Sequence, residues 1–200
     1  MDNSALFKIS YGLYVLSAKD GDKDNGFICN TVMQVTDQPN RILVASNKRN
    51  YTTEMMKSSG EFNISTLDES VPFEVFQNFG FKSGRDTDKF KGVTYERSEN
   101  GIIYLPKNTN SYISAKVNTI TDIGTHLLFL ADVVDAKILS EYDSVTYNYY
   151  QKNVKPHPKN DGTKGYRCSV CGYIYEGEPL PEDYICPVCK HNASVFEKIV

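Results

Sequence analysis

Two Cys-x-x-Cys pairs, Cys168 with Cys171 and Cys186 with Cys189, fall within 22 residues near the end of this 200-residue chain. No other feature so narrows what the chain can fold into. Two residues between thiolates let each pair grip one metal ion from a tight turn, and two such turns complete a tetrahedral four-sulfur site. A segment of about 35 residues buries too little surface to be stable alone, so metal binding would supply much of its folding free energy. Two disulfides or free thiols are the competing reading, and the spacing and a reducing compartment disfavour it. Spacing does not separate iron from zinc. The aromatic residues Tyr166, Tyr173, Tyr184 and Phe196 favour a shielded redox site over an open zinc ribbon. Cys29 stands alone and reads as a small buried apolar residue.

The charge divides the chain into three. Residues 1–150 carry 15 basic and 19 acidic side chains, 151–165 carry 4 and 1, and 166–200 carry 3 and 5. The middle stretch holds Pro156, Pro158, Gly162 and Gly165 with almost nothing apolar, and reads as a linker. The expected domains are therefore 1–150, a linker at 151–165, and a metal domain at 166–200. A net charge of -3 without a basic stripe argues against nucleic acid as a partner. No run reaches membrane-spanning length, and Met1–Ser10 lacks the pattern of a signal peptide, so the expected compartment is the cytoplasm.

The first 150 residues are strand-rich. Gly12–Ala18, Phe27–Val35, Arg41–Ser46, Glu61–Leu67, Ile102–Leu105, Ser111–Ile120 and His126–Leu139 read as strands, with the polar Lys19–Gly26 as a turn. One short helix is expected from Asn50 or Thr52 to Gly60. Another is expected from a Ser70 cap, with Pro72 at an early position, to Gly80. Many strands and few helices indicate a mainly β fold, a closed or Greek-key barrel.

No GxGxxG follows a strand and no P-loop is present. Ser46-Asn47-Lys48-Arg49-Asn50-Tyr51-Thr52 places hydroxyls, amides and two cations before a helix N-terminus, which suits a phosphate. A solvated basic turn is the plainer reading of that segment. Lys89 and Lys91 read as solvated, His157 as exposed in the linker, and His191 as surplus to four thiolates.

Residues 166–199 resemble rubredoxin-like domains, especially the short form at the end of rubrerythrins. The matching residues are Tyr166-Arg167-Cys168, Cys171-Gly172-Tyr173, Tyr175-Glu176-Gly177, Cys186-Pro187-Val188-Cys189, His191 and Phe196. The resemblance implies one iron held by Cys168, Cys171, Cys186 and Cys189. Lys190 stands where rubredoxins usually have Gly, so a non-Gly residue is expected in a left-handed conformation there.

Residues 5–150 resemble the flavin-reductase-like, FMN-binding split-barrel family. The resemblance runs through Gly12–Ala18, Gly26–Pro39, Ser46–Thr52, Gly60–Ser65, Phe79–Gly92, Gly124–Ala136 and Thr146–Tyr150. It implies a homodimer with FMN near the subunit interface. Asn30, Thr31 and Val32 would line the flavin ring and ribityl edge. Ser46, Asn47, Lys48, Tyr51 and Thr52 would hold the phosphate, while Ser83, Gly84 and Arg85 lie in a loop closing over the cofactor. His126 matches the family's Gly-Asp-His turn, close to flavin and nicotinamide, although Thr125 replaces the Asp.

The fusion resembles the high-molecular-weight rubredoxins of anaerobes. It implies electron transfer from NAD(P)H through FMN to the iron site, and on to a flavodiiron-type protein. The alternative is an FMN-binding protein whose tail is a structural zinc ribbon acting as a binding module.

Overall fold

The structure, a computed structural model, describes residues 2–156 and 164–199. Its main body is one antiparallel sheet of seven strands: β1 (Tyr14–Asp20), β2 (Lys23–Cys29), β3 (Val32–Asp37), β4 (Asn40–Asn47), β5 (Glu61–Leu67), β8 (Thr109–Asp122) and β9 (His126–Ile138). The spatial order is β2-β1-β5-β8-β9-β4-β3, so β2 and β3 stand at opposite ends. Only Asn30 and Thr31 join them. Three Cα–Cα steps reach about 11 Å, whereas six flat interstrand gaps need about 29 Å. The sheet must therefore roll up until its ends meet, and the fold is a barrel split at that seam. Two short strands, β6 (Glu96–Arg97) and β7 (Ile103–Tyr104), pair outside it.

β1 is buried along most of its length because both of its faces are covered. Leu16 and Ala18 join the barrel interior with Ile42, Val44, Phe62 and Phe129. Leu13 and Val15 point the other way, into a second cluster with Leu67, Phe76, Phe79 and Ile103. Helix α1 (Tyr51–Ser59) packs Met55 and Met56 against the barrel interior and ends at Gly60, where φ is 72°. Helix α2 (Phe73–Phe81) packs Phe76 and Phe79 onto the outer cluster.

Four expectations change. Phe27–Val35 is not one strand: β2 ends at Cys29 and β3 begins at Val32, because the chain crosses the barrel seam at Asn30 and Thr31. Lys23–Gly26 is strand rather than turn, since Asp20 pairs with Lys23 across a two-residue turn in which Gly21 has φ 57°. In a hairpin that tight, the turn geometry and the cross-strand ladder override the polar composition. Ser70 does not cap α2. Pro72 occupies the cap position, and the Ser70 backbone N–H donates to Asp68 Oδ1 at 2.9 Å. The start of the expected linker is packed structure: Tyr147–Tyr149 leads into a π-helical turn, Tyr150–Val154, whose Tyr150 ring lies 4.4 Å from Phe76. His157 and the remainder of the expected linker to Thr163 lie outside the described residues.

The C-terminal module is a three-stranded sheet in the order β11-β10-β12, formed by β10 (Gly165–Cys168), β11 (Ile174–Tyr175) and β12 (Phe196–Ile199). Among the described residues, no helix is long and apolar enough to cross a membrane.

Candidate functional site

The four tail cysteines converge in the module's centre, each buried, with all sulfurs within 4.8 Å of one another. Cys168 Sγ lies 3.6 Å from Cys189 Sγ, and Cys171 Sγ 3.4 Å from Cys186 Sγ. Metal–sulfur bonds of about 2.3 Å give a tetrahedron with edges of about 3.8 Å, so the sulfurs are already placed for one ion. Each knuckle closes on itself: Gly172 N donates to Cys168 O at 2.9 Å and Lys190 N to Cys186 O at 3.0 Å. Lys190 adopts φ 61°, the left-handed conformation expected where rubredoxins carry Gly.

Burial and mutual crowding push the Cys171 thiol well up and that of Cys189 to about 11. Burial also acts on Cys186, but the Cys189 and Val188 amides and the Cys171 and Cys189 thiols together outweigh it and hold that thiol down. A metal ion would take the place of the remaining protons. Tyr173, Val188 and Phe196 pack against the sulfurs, and Tyr184 meets Phe196 edge-on at 5.4 Å. His191 is exposed, with Nδ1 3.1 Å from Cys189 O and no place among the ligands.

In the barrel, the residues expected around FMN fall into neighbouring groups. At the seam between β2 and β3, Asn30, Thr31 and Val32 are half-buried, and Thr31 Oγ1 donates to Ala45 O at 2.5 Å. Cys29, beside them, is buried with a raised thiol pKa, caused first by desolvation. Where β4 ends, Asn47 lies opposite His126 in the ladder, and His126 Nδ1 is 2.8 Å from Thr125 Oγ1. Lys48 closes this group with its ammonium on Asp122 at 2.6 Å, which holds that carboxyl below its usual range.

The second group surrounds the foot of α1. Asn50 caps the helix by position but makes no side-chain capping bond, so the first-turn N–H groups lack the usual side-chain acceptor. Asn25 Nδ2 donates to Thr52 Oγ1 at 3.0 Å. Ser46 is turned into the helix foot, 2.5 Å from Thr53 Oγ1, and its hydroxyl is committed there. Arg85 stacks over the Tyr51 ring at 4.8 Å and pairs with Glu54. A cleft of about 230 Å³ opens here, bringing Tyr51, Thr52, Ser83 and Gly84 together with Arg49 and Lys89.

Lys89 is not solvated. It is 4% exposed, and its ammonium donates to Gly26 O at 2.9 Å and Phe79 O at 3.1 Å. Burial, reinforced by Lys82, lowers its pKa to about 8. A buried cation held by carbonyls alone, beside a cleft and an uncapped helix start, is a donor set that fits a phosphate. Lys91, two residues on, is exposed as expected. Sequence reasoning also passed over Asn25 and Phe81. Phe81 lines this cleft and also packs against the tetracysteine cluster. No local pattern marks these residues, because their roles come from what the fold brings beside them.

A family model described as a flavin reductase like domain matches residues 6–157. The chain belongs to this flavin reductase-like family. A second family model, the rubrerythrin, rubredoxin-like domain, matches residues 166–197. The flavin reductase-like chain is 38% identical to a high molecular weight rubredoxin of Moorella thermoacetica, with the whole of both chains covered. It is 39% identical to a ferric-chelate reductase (NAD(P)H) of Archaeoglobus fulgidus over 75% of this chain and 89% of that one. Among solved structures, the flavin reductase PheA2 aligns with a TM-score of 0.62 at 23% identity, covering 73% of this chain and 93% of that one. A Streptomyces globisporus NADH:FAD oxidoreductase aligns at 0.65 and 17%, covering 71% and 84%. Both share the barrel's fold. The flavin reductase-like chain is an FMN-dependent oxidoreductase with a rubredoxin-like tetracysteine iron module.

Proposed function

We propose that this protein takes electrons from NAD(P)H at an FMN in the barrel and passes them to iron on Cys168, Cys171, Cys186 and Cys189. A protein of the flavodiiron type is the onward acceptor, in the cytoplasm. Bound FMN would accept both electrons of a hydride and release them singly, and tetrathiolate iron would carry one at a time. The supporting observation is Phe81, a single side chain that both lines the α1 cleft and packs on the sulfur cluster. The phosphate end of the FMN site and the iron site would then share a wall within one chain.

The chain's own residues divide the work. Lys89, Arg49 and the first turn of α1 neutralise the FMN phosphate, with Thr52, Asn47 and Ser83 as further polar contacts. Tyr51 and Arg85, stacked together, cover the cleft, and Gly84 lets the 82–87 loop approach: a Cβ there would lie 2.1 Å from Asn25 Oδ1. Asn30, Thr31 and Val32 meet the ring at the barrel seam. His126, oriented by Thr125 and flanked by Lys48, positions the nicotinamide. Ser46 contributes by holding the helix foot. Phe81 keeps water out of the partition. Exposed apolar side chains on the edge strand β3, Met33 at 58% and Val35 at 43%, support a homodimer.

Anaerobic stopped-flow with NADH, following the flavin and ferric-thiolate bands separately, tests the relay. Both bands are expected to bleach, the iron band no faster than the flavin. A tail that stays oxidised once the flavin is reduced, or native protein with stoichiometric zinc, would sink it.

A further inference from the structure

Outside the four cysteines, the most constrained group near the metal site comes from the other module. Lys155 follows the π-helical turn, within the flavin reductase-like match and before the rubredoxin-like one begins. It is 5% exposed, and its ammonium donates to Ser169 O at 2.5 Å, inside the Cys168–Cys171 knuckle. The contact leaves no slack. A Cβ on Gly172 would lie 2.8 Å from Pro156 O and 3.4 Å from Lys155 Cγ. The turn before Lys155 is anchored in turn by Tyr150, buried against Phe76.

The charges around Lys155 suit an anionic centre at the cysteines. Burial, and after it repulsion from Arg167, holds the Lys155 pKa below its ordinary value, while Cys168, Cys171 and Glu197 attract its charge. Arg167 Nε is itself buried without a hydrogen-bond partner among the described residues. Two cations crowd one knuckle. A ferric tetrathiolate carries one net negative charge and a ferrous one carries two, so a neighbouring buried cation stabilises the reduced form more.

We propose that Lys155 is a positioning residue for electrons: the barrel plants its charge against the first knuckle and so raises the reduction potential of the iron. This rests on the iron reading given above. The cation also ties the potential to the seating of the module, because a tail lifted off its barrel loses the charge.

Spectroelectrochemical titration of the full-length holoprotein, following the ferric-thiolate band, reads this directly. Lys155→Gln keeps a donor for Ser169 O but removes the charge, and should lower the reduced-to-oxidised ratio at fixed potential about tenfold, roughly 59 mV for one electron. Lys155→Arg keeps the charge and should stay within about threefold of wild type. Lys190→Gln, which removes an exposed charge from the other knuckle, should stay within about twofold. In the unmodified protein, raising salt from about 0.05 to about 1 M should shift the potential little, because a buried charge is poorly screened. A red tail whose potential ignores Lys155→Gln, or moves equally with Arg and Gln, or falls steeply with salt, overturns the proposal alone. A colourless, zinc-loaded tail overturns the iron reading and this proposal with it.

Discussion

Lys89 carries the clearest residue-scale consequence. Its pKa in the folded chain, about 8, lies below the ordinary 10.5. Near neutral pH it is charged in both states, and burying that charge weakens the fold. Between pH 8 and 10.5 only the unfolded chain keeps the proton, so this group's contribution to stability rises with pH. The span corresponds to about 3 kcal/mol. Urea unfolding of flavin-free protein should therefore show wild type gaining about 3 kcal/mol on Lys89→Met between pH 7 and 10.5. In the same variant, FMN affinity at pH 7 should fall at least about tenfold by fluorescence titration, since a charge-assisted contact is lost. An unchanged affinity would remove Lys89 from the cofactor site.

Among the elements, α1 shows most plainly what could be read in advance. Asn50, Glu54 and Gly60 bracket the helix in the sequence, and it runs from Tyr51 to Ser59 with Gly60 left-handed. Gly60→Ala should lower stability by about 1 kcal/mol and leave FMN binding unchanged, which chemical denaturation and titration would check together. The apolar runs that became β1, β5, β8 and β9 were legible for the same reason, as each is covered on one face or both. Lys23–Gly26 was not, since nothing local says that Lys23 will pair with Asp20. The cysteine knuckles were the most legible element because their ligands are close in sequence and the metal needs only them. The cleft was harder: Lys89, Asn25 and Phe81 come from three separate segments and meet only after the barrel closes. Removing the metal should unfold residues 165–199 alone, since their core is the sulfur cluster with its aromatic shell. Chelation should abolish the tail's near-ultraviolet dichroism while the barrel melts as before.

At the scale of the whole molecule, the tail module is seated against the barrel. Tyr150, Lys155 and Phe81 bring both knuckles against the chain's own barrel. If each protomer is wired only to itself, damage to one redox site cannot be made good by a neighbour. Consider hybrids of the proposed homodimer, one protomer carrying Lys89→Met and Tyr51→Ala, the other Cys186→Ser. Each holds one sound flavin pocket and one sound iron site, but never on the same polypeptide. Such hybrids should fail to reduce their iron at the native rate, whereas trans wiring would restore about half of it to the mixture. Genetic complementation, ordinarily a test of whether two lesions share a gene, would here report the route of an electron.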